Sequence, residues 1–114
     1  MNIKDKREHK RYVVDAVCEI KMECACITGE LKNISFSGFF MKTKVGLSAF
    51  VGGEADVKIT TRFNDHDYCI TARSRIIRSD ENGVGCFFVG MDDINIEAFN
   101  NLILNLSLNQ TNGN

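Results

Sequence analysis

No proline interrupts this 114-residue chain, so its turns must rest on glycine, asparagine, aspartate and serine. No apolar run approaches the ~18 residues that a membrane span needs, and no span is expected. The charged N-terminus is not followed by an apolar signal core, so export is not expected and a cytoplasmic location is. Five cysteines are present, Cys18, Cys24, Cys26, Cys69 and Cys86. An odd count without an export signal implies reduced thiols, not a disulfide framework. Cys24 and Cys26 alternate on one strand face and do not form the Cys-x-x-Cys of a redox helix start. With Cys69, Cys86 and His66 they match no common zinc spacing, and Cys18 and Cys86 fall at apolar strand positions. No serine stands in a nucleophile-elbow sequence and no glycine-rich phosphate loop precedes a helix. Asp65, His66 and Asp67 read as a solvated turn, not an acid–base cluster. Catalysis, a metal and a cofactor are therefore not expected.

Net charge is nearly absent too, at −1, but it is unevenly spread. Residues 1–11 carry five basic and two acidic side chains, net +3, which leaves −4 for the rest. A basic arm on a mildly acidic body suits a small local anion site. A DNA- or RNA-binding surface would need cations spread over a whole face.

Period-two alternation dominates what is there. Tyr12, Val14, Ala16, Cys18, Ile20 and Met22 share one parity, the mark of a half-buried strand. Further strands are expected over Cys26–Lys32, Gly38–Lys44, a segment with Ala55, Val57 and Ile59, a return strand through Tyr68, Ile70, Ala72 and Ile76, and Val84–Val89. Asn64–Asp67 is a polar hairpin tip, and Asn82-Gly83 suits a type I′ turn. The period changes at the end. Phe99, Leu102, Ile103 and Leu106 fall at i, i+3, i+4 and i+7, one face of a helix. Asn95 is its expected N-cap, with Ile94 stapled onto Phe99. Short strands at this spacing predict an all-β protein, an antiparallel six-stranded barrel closed to remove free edges, with a C-terminal α-helix. The expected organisation is a flexible basic arm over 1–11, the barrel and helix over 12–106, and a disordered tail over 107–114.

Two constellations carry chemistry. Arg7 and Arg11 stand four apart just before the first strand. A guanidinium fork gives paired hydrogen bonds to phosphates and guanine edges, and its face stacks on a base. Taken alone, the same residues make a solvated basic tail. The second is Asn33-Ile34-Ser35-Phe36-Ser37-Gly38 at a strand junction, where glycine permits an approach that a side chain would block. Taken alone, this is an ordinary Asn/Ser loop.

In this order the two motifs resemble the PilZ domain family, over about residues 6–106. The family's Arg-x-x-x-Arg is matched by Arg7 and Arg11. Its Asp/Asn-x-Ser-x-x-Gly is matched by Asn33, Ser35 and Gly38. Ile76-Ile77-Arg78 and Val84-Gly85-Cys86-Phe87-Phe88 resemble its late strands, while Ser37 stands where many members have a second glycine. The resemblance implies a receptor for cyclic di-GMP or a related cyclic dinucleotide. Arg7 and Arg11 would contact guanine edges and phosphates, Asn33 and Ser35 would hydrogen-bond the ligand, and Gly38 would shape the turn. Lys6, His9, Lys10, Ser37 and Arg78 are secondary candidates. The arm would order on binding and present a new surface to a partner protein. With no output domain expected in the chain, the monomer or weak dimer would act through that partner. A ligand-independent adaptor of the same fold is the alternative. Arg73 and Arg75 share a parity and are expected to pair with acidic residues of neighbouring strands on the outer face. Most of Phe36, Phe39, Phe40, Phe87 and Phe88 are expected in the core.

Overall fold

The computed structural model of the chain describes residues 10–111. Lys6, Arg7, His9, the rest of the arm before Lys10, and residues 112–114 lie outside the described residues. Six strands follow one another: β1 (Tyr12–Lys21), β2 (Cys26–Ile34), β3 (Gly38–Lys42), β4 (Glu54–Phe63), β5 (His66–Asp80) and β6 (Gly83–Gly90). A 3₁₀ turn, Ser48–Phe50, lies between β3 and β4, and helix α1 (Asp93–Thr111) ends the fold. The strands close into an antiparallel barrel in the order β1-β2-β3-β6-β5-β4. The closures are long-range, Ile20 facing Val57 across β1–β4 and Phe39 facing Cys86 across β3–β6.

Alternation fills the barrel. Val14, Ala16, Cys18 and Ile20 of β1 and Ala55, Val57 and Ile59 of β4 point inward and are buried. Leu31, Phe39, Met41, Ile70, Ile76 and Val84 complete the interior. The apolar stripe Phe99, Leu102, Ile103 and Leu106 of α1 is buried with them. Asn105 Nδ2 donates to the Tyr68 hydroxyl at 2.9 Å, which ties α1 to β5.

Five features differ from expectation. The N-cap of α1 is Asp92, not Asn95: Asp92 Oδ1 accepts from the Asn95 backbone N–H at 3.0 Å. These bonds hold the Asp92 carboxyl below its ordinary range. Asn95 instead accepts from the Thr71 N–H at 2.8 Å, and Ile94 is 81% exposed, so no staple forms. The helix does not stop at residue 106, because Ser107 Oγ bonds the Leu104 carbonyl and the Gln110 carboxamide finds a backbone partner in β1. The positive φ values of a two-residue I′ hairpin occur at Asn64 (53°) and Asp65 (65°). At Asn82-Gly83, Asp80 Oδ1 holds the turn by accepting from both backbone N–H groups. Of the five phenylalanines expected mostly in the core only Phe39 is fully buried, and Phe36 and Phe87 are 51% and 46% exposed.

Candidate functional site

Strict alternation would send Asn33 and Arg78 into the barrel, since Leu31 and Ile76, each two residues before, point inward. A bulge in β2 opposite β3, between Leu31 and Asn33, adds one residue and turns Asn33 outward. A bulge in β5 opposite β6, between Ile76 and Arg78, does the same for Arg78. Both side chains then reach one cavity of about 520 Å³ on the outer face, lined also by Arg11, Phe40, Gly85 and Phe87. Arg11 Nη1 donates to Asn33 Oδ1 at 2.6 Å. Arg78 lies along Gly85, where a Cβ would come within 3.3 Å of its Cγ and Nε. Its guanidinium carbon sits 5.2 Å from the centre of the Phe40 ring, a cation–π geometry. Neither arginine forms an ion pair among the described residues. Phe40 also walls a second cavity of about 550 Å³ that holds Lys32, Lys42 and Lys44 against Glu30 and Glu81.

Ser35 and Gly38 build the turn beside this face. Ser35 is 1% exposed, and its Oγ accepts from the N–H groups of Ser37 at 3.2 Å and Gly38 at 3.3 Å. The Ser35 N–H donates to the Gly38 carbonyl at 2.8 Å. A side chain on Gly38 would collide with the backbone carbonyl of Cys86 on β6, so glycine is required for the strands to pair. Ser35 and Gly38 therefore shape the site, while Arg11, Asn33 and Arg78 face its cavity. Ser37 is half-exposed at the turn, and the Lys10 ammonium lies 5.9 Å from the centre of the Tyr12 ring.

Arg73 and Arg75 do not line the cavity and, as expected, pair with acidic residues of the neighbouring strand. Arg73 bonds Asp56 at 2.9 Å and Glu54 at 3.3 Å, and Arg75 bonds Glu54 at 2.9 Å. Both are neutralised in an outer-face network. Phe40 and Gly85 were missed as site residues by sequence reasoning. The signal for them is only cross-strand, since Gly85 opposes both Phe40 and Arg78 in register. The buried thiols are inert: burial raises Cys86 to about 12 and raises Cys18 further still.

The barrel capped by a helix thus brings two guanidinium groups, neither in an ion pair among the described residues, and an amide to one outer-face cavity walled by Phe40. The sequence pattern of the PilZ domain matches residues 5–105. The chain belongs to the PilZ domain family, whose members are generally cyclic di-GMP receptors and are binding or adaptor domains. Among solved structures it is similar to the PilZ domain of CeSA from a cellulose-synthesizing bacterium. That likeness has a TM-score of 0.59 and 19% identity over 88% of this chain and 98% of the other. No curated protein sequence matches this chain. Among the described residues no helix is long and apolar enough to cross a membrane.

Proposed function

We propose that this protein is a cyclic di-GMP receptor and that the Arg11–Asn33–Arg78 cavity holds the ligand. The observation that carries the reading is the pair of bulges, which aim Asn33 and Arg78 out of the barrel at the point where Arg11 arrives. Arg11 and Arg78 supply forked donors to phosphates and guanine edges. Phe40 backs the Arg78 guanidinium, which leaves the other face of that plane for a base. Asn33 offers an amide once Arg11 swings to the ligand. The cavity volume lies in the usual range for small ligands, roughly 300–1,000 Å³. Arg7 completes the arm motif by sequence, and Lys6, His9 and Lys10 add donors and charge beside it. Ligand neutralises the arm and pins it over the barrel, and the reshaped surface is read by a partner protein.

Calorimetric titration of the folded protein with cyclic di-GMP, beside linear GMP, tests this. Binding of cyclic di-GMP that Arg11→Ala weakens ten- to hundred-fold is expected, the loss of a charged hydrogen bond of ~1.5–3 kcal/mol. No binding by the folded wild type would overturn the receptor reading and leave the adaptor.

A further inference from the structure

Helix α1 touches residues next to the candidate site at two separate points. The first is Phe36 in the Ser35–Gly38 turn, which packs edge-on against Phe99 at 5.9 Å between ring centres. Phe99 in turn meets Phe88 at 5.1 Å, and Phe88 meets Phe39 at 5.5 Å. The second lies at the other end of the helix. Strand β4 pairs with β1 only from Val17 to Lys21, so the start of β1 has no strand on that edge. The Gln110 carboxamide takes the place of one strand residue. Its Oε1 accepts from the Val13 N–H at 3.1 Å, and its Nε2 donates to the Val13 carbonyl at 2.7 Å. On its other edge Val13 faces Asn33 of β2, the residue that holds Arg11. The root of the arm is thus clamped between a site residue and the end of the helix.

We infer that the Gln110–Val13 clamp is a latch that couples occupancy of the ligand site to the end of α1, an inference that rests on the receptor reading. A ligand must find Arg11 placed over the cavity. With the latch closed, Val13 and the two residues before it start near that position, so less ordering remains to oppose binding. Coupling is reciprocal: ligand that fixes Arg11 closes the latch and quiets the last turns of α1. A protein that pulls the helix end away would loosen the ligand by the same factor. A single side-chain amide is suited to this task. Its oxygen and its nitrogen reach both backbone groups of one residue, and at the surface water replaces these bonds at little cost.

Calorimetry and hydrogen exchange test the latch together. Cyclic di-GMP is titrated into wild type, Gln110→Ala and the neighbouring control Asn109→Ala. Backbone exchange is followed over residues 11–16 and 104–111, with and without ligand, and also in ligand-free Asn33→Ala. The latch predicts that Gln110→Ala weakens binding about five-fold while Asn109→Ala does not. It predicts that ligand slows exchange at 104–111, and that Asn33→Ala speeds it. If wild type binds but Gln110→Ala binds equally and the helix end is unmoved, the latch is overturned and the receptor reading stands. If wild type does not bind, the receptor reading fails and ligand-free Asn33→Ala decides. Faster exchange at 104–111 upholds the coupling between site and helix, and unchanged exchange overturns it.

Discussion

Replacing Ser35 with alanine separates a scaffold role from a ligand-contact role at this position. In the structure the Ser35 hydroxyl is spent on the turn, where it accepts from the Ser37 and Gly38 N–H groups. Gly38 is buried against β6, so its N–H cannot turn to water once the oxygen is gone. One buried donor left unpaired costs roughly 1–3 kcal/mol. The Ser37 N–H is near solvent and adds little. For a domain of this size each kcal/mol moves Tm by roughly 4–8 °C. Ser35→Ala should therefore melt about 5–20 °C below wild type when followed by far-UV circular dichroism. Ser37→Ala, half-exposed, should stay within ~0.5 kcal/mol. At a temperature where both are folded, Ser35→Ala should bind cyclic di-GMP more weakly only to the extent that the turn has loosened. A variant with unchanged Tm and abolished binding would refute this and make Ser35 a direct ligand contact.

Other outcomes follow from the packing. Gly38→Ala forces a methyl group into the backbone carbonyl of Cys86 and should cost about 3 kcal/mol or more, above the usual overpacking range because backbone must move, read as a shifted urea midpoint. An aromatic disulfide reagent should label Cys24, Cys26 and Cys69 quickly, and Cys18 and Cys86 only as the barrel opens. Because burial raises the Cys86 thiol to about 12, the folded state keeps a proton that the unfolded chain sheds near pH ~8.5. This contribution is complete below that pH and is lost as pH rises toward the folded value. Urea midpoints between pH 8 and 10 should fall less steeply in Cys86→Ala than in wild type.

Most of the fold was legible in the sequence because burial enforces periodicity. The inward parity of β1 and β4 and the stripe from Phe99 to Leu106 are visible without coordinates, since each residue answers to its nearest neighbours along the chain. What escaped depends on distant partners. Asn33 and Arg78 are named by the motif and the late-strand pattern, but what aims them is not visible: unbroken alternation from Leu31 and Ile76 would turn both inward, and only the bulges opposite β3 and β6 bring them out. Gln110 reads as part of a fraying tail because its partner Val13 lies 97 residues away. Phe36 and Phe87 read as core by composition, yet the cavity face and the helix contact keep both half in solvent. For the site, Arg11, Asn33 and Gly38 were legible as a pattern. The division between turn-building Ser35 and cavity-facing Asn33 was not, because it depends on which way each side chain turns at the end of β2.

The two long-range closures of the barrel set a time order on function. Arg11, Asn33 and Phe40 come from the first part of the chain, and Arg78, Gly85 and Phe87 from the last strands, joined only when β6 docks on β3. Pairings of such sequence separation form slowly, in roughly milliseconds to seconds for barrels of this kind. A chain still leaving the ribosome has Arg11 and Asn33 before it has the strands that complete the cavity. If the cavity is the ligand site, the messenger would register only finished barrels, and half-made chains, however abundant, would not deplete it.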